Sequence, residues 1–381
     1  MGAPVDDFRP ALERPVRIRN VEAIRVALPL RKPMLMAGVR IEVADNVLVR
    51  IEATDGTVGW GEATSAPTMT GELAESFLGA VRHLAPLLIG QDARAHAALE
   101  RRCHAAMHGN GGAKSAIDMA LLDLVGRRMG IATVEILGGA LRETVTPMWL
   151  LGNAAIADDI AEAREKCAEG FSFFKLKVGI KPIAEEIAAV EALRTELGPD
   201  LLLCADANMG LTVARAQQFL RGAGHLGLMY LEQPVRAEDL PGMHALTAIG
   251  TVPICADEGI TGTPEVLAHH AARAMSGINL KLMKAGGPRA AMRVATLCEA
   301  LGLSITVAGK IAESSIAASN TLAVACAAAN VDWGLNLTHI YLAEDVVQYP
   351  IAMHEGTFTC PRAPGNGLDV DENVVERYRV R

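Results

Sequence analysis

Five short apolar runs in the middle of the chain each end on charged residues. They read FFKLKVG, with Lys175 and Lys177; LLLCADANMG, with Asp206; LMYLEQP, with Glu232; VPICADEG, with Asp257; and GINLKLMKAGG, with Lys281. A charge that closes an apolar run is costly unless something compensates it. Three carboxylates on neighbouring strand ends would repel one another without a cation between them. A hard divalent ion with oxygen ligands is the natural remedy, Mg2+ first and Mn2+ as the substitute, and the lack of a His–Cys set disfavours zinc. Side chains alternate along a strand, so Lys175 and Lys177 point one way and Leu176 the other. Two ammonium groups so close, facing a metal, are expected to depress each other's pKa and give a base that works near neutral pH. Lys281, four strands further round, would reach the opposite side of a substrate. Taken singly, each has a bland reading: a solvated strand end, or a helix N-cap for Asp206 and Asp257. Their joint order, lysines, three acids, lysine, is what asks for chemistry.

Such residues need a scaffold that brings successive strand ends together. Between residues 145 and 350 apolar strands alternate with Ala- and Glu-rich helices. The strands read as 145–150, 173–178, 201–206, 228–232, 253–257, 277–282, 304–308 and 333–337, with helices such as 183–197 and 288–301 between them. That rhythm predicts an α/β fold, a (β/α)7-8 TIM-like barrel whose chemistry lies at the C-terminal strand ends. Residues 1–144 read as an α+β capping domain. Its first 15 residues form a loose tail, NVLVRIEATDGTVGWGEA is a hairpin turning at Asp55-Gly56, and residues 70–137 are helical. Segment 351–381 leaves the rhythm and is expected to return to the cap.

The combination resembles the enolase superfamily, and within it the muconate lactonizing enzyme subgroup. The resemblance rests on Lys175-Leu176-Lys177, on Asp206, Glu232, Asp257 and Lys281 at successive spacings of 29, 26, 25 and 24 residues from Lys177, on the phrases DAN, EQP, ADE and NLKLMKAGG, and on AIDMALLDLVGRRMG in the cap. It implies that Asp206, Glu232 and Asp257 bind the metal. It also implies that Lys177 and Lys281 exchange the α-proton of a small carboxylate substrate through an enediolate, and that Lys175 tunes Lys177 and can touch the carboxylate. A racemase, epimerase or cycloisomerase is the leading expectation, and a homo-oligomer is usual for such folds. A syn-dehydratase of the same subgroup is the alternative, and an inactive metal- or ligand-binding relative is the alternative of another class. No histidine falls on strand two, six or seven, which disfavours the histidine-using mandelate racemase subgroup.

The eighth strand departs from the better-known relatives. In DWGLNLTHIYLAEDV, Asn336 stands where dipeptide epimerases and muconate lactonizing enzymes carry an acid. Trp333 either stacks on a substrate cation at the barrel mouth or packs under the cap. Lys310, in VAGKIAES, either binds a second anionic group or is an exposed loop lysine. Glu258 and Glu313 are candidate partners of Lys281, and Asn208 of the metal carboxylates. Segments Met34–Arg40 and Ala63–Thr70 are expected to form loops over the substrate, the first a partly apolar lid built from Met34, Leu35 and Met36.

Composition narrows the classes. The net charge is −8 and basic residues form no stripe, so nucleic acid is an unsuitable partner. Seven scattered cysteines without a C-x-x-C pair suit free thiols in a reducing compartment. No signal peptide is read, and the most apolar stretch, Ile316 to Val331, is too short and polar to span a membrane. A cytoplasmic location is the resulting expectation.

Overall fold

The computed structural model describes residues 15–36, 39–152 and 155–381. The tail read over residues 1–15 lies, apart from Pro15, outside the described residues. Strands β1 (Ile18–Met36), β2 (Val39–Ala53) and β3 (Val58–Thr64) form one antiparallel sheet, and Gly56, at φ +88°, makes the turn after β2. Helix α3 (Gly111–Met129), which follows α1 (Ala74–Leu88) and α2 (His96–Ala106), packs on β3. The sequence V-G-W-G permits the approach. A Cβ at Gly59 would lie 2.2 Å from the Ala120 carbonyl oxygen, and one at Gly61 would lie 1.9 Å from that of Ala116.

Met34–Met36 and residues 39–40 are strand rather than loop, since Met34 pairs with Ile41 and Met36 with Val39 at the far end of β1 and the start of β2; residues 37 and 38 lie outside the described residues. Met34 packs half-buried against the core. The lid reading for Leu35 and Met36 falls on side chains outside the described residues.

Eight parallel strands follow: β5 (Trp149–Leu151), β6 (Phe173–Lys177), β7 (Leu202–Asp206), β8 (Leu231–Glu232), β9 (Ile254–Ala256), β10 (Gly277–Leu280), β11 (Ser304–Ala308) and β12 (Leu335–Asn336). The ring closes where Met148 N donates to the Leu335 carbonyl at 2.7 Å and Leu335 N to that of Thr146 at 3.2 Å. The fold is thus an α/β barrel with a strand-rich cap. Helices Ile183–Leu197 and Pro288–Ala300 lie where the periodicity put them. The first strand differs from the 145–150 expected. Thr144–Val145 (β4) pairs outside the barrel with Phe358–Thr359 (β13), and the barrel strand begins at Trp149. The C-terminal helix Glu372–Tyr378 lies against β1, and Val26 bridges to Arg379. The apolar stretch from Ile316 is a buried helix, Ser315–Ala327. Among the described residues no helix is long and apolar enough to cross a membrane. All seven cysteines are free, and six are buried.

Candidate active site

Strand register sets the charged residues in one layer. Lys177 is paired across the ladder with Asp206, and Asp206 with Glu232. Asp257 and Lys281 stand one residue beyond β9 and β10, at the same end of the ring. A cleft opens there. Lys175, Lys177, Asp206, Asn208, Glu232, Glu258, Lys281, Lys310 and Asn336 all line it, with Thr68 and Met69 from the cap above.

The charges are mutually satisfied. Lys175 Nζ donates to Glu232 Oε2 at 2.6 Å, and Lys177 Nζ to Asp206 Oδ2 at 2.6 Å and Asn208 Oδ1 at 2.7 Å. Lys281 and Lys284 take one oxygen each of Asp257, and Lys284 also donates to the Asp257 carbonyl. Burial by itself would raise the Asp257 carboxyl, yet the two ammonium groups hold it far below its ordinary value. Burial raises Glu232, and the neighbouring Asp206 and Asp257 charges raise it further, against the pull of Lys175.

The depression expected of the Lys175–Lys177 pair presumes a cation facing them; among the protein's own groups, carboxylates set the balance at Lys175 and likewise at Lys281. Burial pushes both down, but Glu232 beside the first and Asp257 beside the second outweigh it, and both end above their ordinary values. Neighbouring carboxylates override neighbouring lysines when no other cation occupies the carboxylates.

Asn208 ties two groups together. It accepts from Lys177 and donates through Nδ2 to Glu258 Oε1 at 3.2 Å, while its backbone N–H donates to Asp206 Oδ1 at 3.0 Å. Burial, then the Asp257 charge, pushes Glu258 up to about 7. Burial, then Glu62, pushes Glu313 up to about 8. Glu258 and Glu313 both feel the Lys281 charge, but neither is hydrogen-bonded to it among the described residues.

Lys310 is not an exposed loop lysine: it is buried, and its Nζ donates to the Ile311 carbonyl at 2.9 Å. Asn336 faces the cleft, its Nδ2 donating to the Met148 carbonyl at 3.2 Å. Trp333 is at neither the mouth nor the cap. It stacks on Tyr230, with ring centroids 4.7 Å apart, in a cluster with Met148, Phe173, Cys204 and Cys255. Phe173 opens β6 and Gly277, which touches the Trp333 ring, opens β10, so the cluster plugs the opposite end of the barrel. Gly334, at φ +75°, separates Trp333 from β12 and leaves it before the strand rather than after it.

Sequence reasoning missed Lys284 and Asn279. Asn279 Nδ2 donates to Glu232 Oε1 at 2.7 Å. Asn279 and Lys281 share the parity of one strand, which is a signal that alternation supplies. Lys284 is brought back to Asp257 by the short helix Leu282–Ala285.

The seventh-strand loop is clamped to the cap. Glu62 of β3, fully buried, accepts from Ser314 N at 2.9 Å, Ser314 Oγ at 2.7 Å and Ala317 N at 3.1 Å, at the N-terminus of helix Ser315–Ala327. Asn46 of β2 donates to Glu62 at 2.7 Å and to the Ala312 carbonyl at 2.9 Å. A carboxylate at a helix N-terminus meets free N–H groups and the positive end of the dipole.

Residues 18–138 match the family described as mandelate racemase / muconate lactonizing enzyme, N-terminal domain, and residues 158–374 match the enolase C-terminal domain-like family. Muconate cycloisomerase 1 of Pseudomonas putida is 33% identical over 373 residues, 96% of this chain and 99% of that one. The L-Ala-D/L-Glu epimerase of Bacillus subtilis is 31% identical, covering 93% of this chain and 97% of that one. The crystal structure of a muconate lactonizing enzyme from Pseudomonas fluorescens complexed with muconolactone superimposes with a TM-score of 0.93 at 32% identity, over 96% of this chain and 100% of that one.

Proposed function

The chain belongs to the mandelate racemase/muconate lactonizing enzyme family of the enolase superfamily, and on that premise we propose a divalent-metal-dependent isomerase that removes and returns the proton α to a substrate carboxylate. The observation that carries the reading is the opposed placement of two lysines. β6 and β10 are four strands apart in an eight-stranded ring, so Lys177 and Lys281 enter the cleft from opposite sides. A carbon held between them can lose its proton to one amine and regain it from the other, which inverts the centre.

Asp206, Glu232 and Asp257 are the residues that would hold the cation. Among the described residues no three His, Cys, Asp or Glu side chains already converge as a metal cluster, because each of these carboxylates is turned to lysine. Their chemistry nonetheless fits a hard ion: all are buried oxygen donors, and Asp206 and Asp257 both destabilise the charge on Glu232. Mg2+ suits the set best, with Mn2+ as the substitute. When bound, the ion supplies Lewis-acid stabilisation of the negative charge on the substrate carboxylate.

The chain's own groups do the rest. Lys177 and Lys281 are the amines placed to take the α-proton and to return it, one from each side of the cleft. Asn208, a neutral partner, also orients Lys177, accepting from its Nζ at 2.7 Å. Lys175 remains on Glu232 as a fixed positive charge facing the enediolate.

The test is α-proton exchange in D2O, followed by proton NMR with N-acylated amino acids, dipeptides, proline derivatives and muconates. Deuterium should enter the α-position of both epimers, and Lys177→Ala and Lys281→Ala should each abolish inversion and the exchange of the epimer whose proton faces the lost amine. Unchanged exchange in both variants would overturn the assignment, and loss of a β-hydroxyl would turn it into dehydration.

A further inference from the structure

We infer that Lys310 receives a second carboxylate of the substrate, carried on the arm that runs from the strand ends toward the β1–β2 hairpin; the place of the first carboxylate rests on the reading above. Four lysines at this end of the barrel, Lys175, Lys177, Lys281 and Lys284, each hold a protein carboxylate. Lys310 is buried like Lys175 and Lys284, with 6% of its surface exposed. Among the described residues its ammonium makes one hydrogen bond, to the Ile311 carbonyl, and no ion pair. An ammonium has three donors, so two remain for a ligand. Glu313 attracts the ammonium but makes no hydrogen bond to it among the described residues, and a buried charge without a bonded counterion is expensive, a cost that an incoming carboxylate relieves. The cost is visible in the titration: burial, then the Lys281 charge, pushes the Lys310 amine down to about 8.

Position says which part of a substrate arrives there. Lys310, Ile311 and Thr68 line the cleft and also a second recess under the hairpin, walled by Ile41, Val43 and Pro67, whose two acids, Glu42 and Asp45, are paired with Arg40 and Arg25. Neither the three strand-end acids nor Lys177 and Lys281 line that recess. Lys310 therefore stands at the junction, away from the carbon that exchanges its proton. The neighbouring strand end brings no competing acid, since Asn336 is neutral and its amide is engaged with Met148. The lysine is also held in place. Its carbonyl accepts from Thr338 Oγ1 at 2.7 Å and from Glu313 N at 2.8 Å, and Asn46 holds the Ala312 carbonyl two residues on. A fixed, buried cation with spare donors is pre-organised for an anion.

The test compares diacids with uncharged counterparts of equal length, in Mg2+ buffer: N-succinylglycine against N-butanoylglycine and N-glutarylglycine against N-pentanoylglycine. Calorimetry measures binding, and NMR measures α-proton exchange on the same probes. On the wild-type protein one diacid should bind about 10- to 100-fold more tightly than its counterpart, the range expected for a charge-assisted contact. Lys310→Met should bring the ratio to near unity, and Lys310→Arg should keep part of it. Lys310→Gln replaces the methionine variant if that one melts early. A wild-type ratio of one for both pairs, or a ratio that survives loss of the ammonium, overturns the inference. Absence of exchange on every probe counts against the isomerase reading alone, because the binding ratio still decides Lys310.

Discussion

Replacing Lys284 with methionine removes the ammonium while nearly keeping the volume. Its Nζ serves Asp257 Oδ1, the Asp257 carbonyl and, at 3.3 Å, the Asn279 carbonyl, all in the interior. Taking one partner from a buried ion pair costs about 3–5 kcal/mol. Lys281 stays on the other Asp257 oxygen, so the lower end, about 3 kcal/mol, is expected in metal-free protein. A cation on Asp257 should compensate. In the wild-type protein it has to displace both lysines, in the variant only one. Urea unfolding followed by circular dichroism, in EDTA and in saturating Mg2+, separates the two states. The stability gap between wild type and Lys284→Met should be about 3 kcal/mol in EDTA and should narrow with Mg2+ by about 1.4 kcal/mol for each tenfold gain in affinity. A gap that is the same in both buffers would mean that Asp257 does not ligate the ion. A gap under about 1 kcal/mol in EDTA would refute the ion-pair argument itself.

Other expectations follow from packing and titration. Glu62→Ala strands Ser314 N, Ser314 Oγ and Ala317 N and should cost about 3 kcal/mol or more in urea unfolding, at roughly 1–3 kcal/mol per buried donor. Glu313 has a folded-state pKa of about 8 against an ordinary 4.5, so its favourable contribution is full below pH 4.5 and is lost as pH rises toward 8. Glu313→Gln should therefore gain stability relative to wild type between pH 5 and pH 8, and a pH-independent difference would contradict the burial argument. Trp333→Ala should cost about 3–5 kcal/mol of stability and should leave the ratio of kcat/KM for cationic and neutral acids unchanged, because the ring lies at the closed end of the barrel.

The legible part of this molecule was the part where chemistry and strand geometry coincide. A charge at the end of an apolar run marks a strand end, and five such ends in a row define both the ring and its open face. Register then needed no further signal: Lys177, Asp206 and Glu232 are ladder neighbours because each closes its own strand. What failed was local. Neither reading of Trp333, mouth or cap, allowed for the closed end of the barrel, where the left-handed backbone of Gly334 leaves the ring ahead of the strand. Strand β1 continues to Met36 through Pro29 and Pro33, absorbed as a register shift between Pro29 and Met34 that alternation does not reveal. Lys284 was passed over because it reaches Asp257 through a helical turn, a closure that a strand-by-strand reading does not contain.

The clamp that Asn46 and Glu62 place on residues 312–317 has a consequence for anyone recombining this fold with its relatives. The segment that presents Lys310 is covalently part of the barrel, but its backbone is bonded to two strands of the cap. A chimera that exchanges residues 18–138 alone would bring foreign strands to a native loop and shift the cleft wall through unmatched hydrogen bonds. The unit of inheritance for substrate choice is thus discontinuous, β2 and β3 together with the seventh-strand loop, and crossover points should be drawn around that pair.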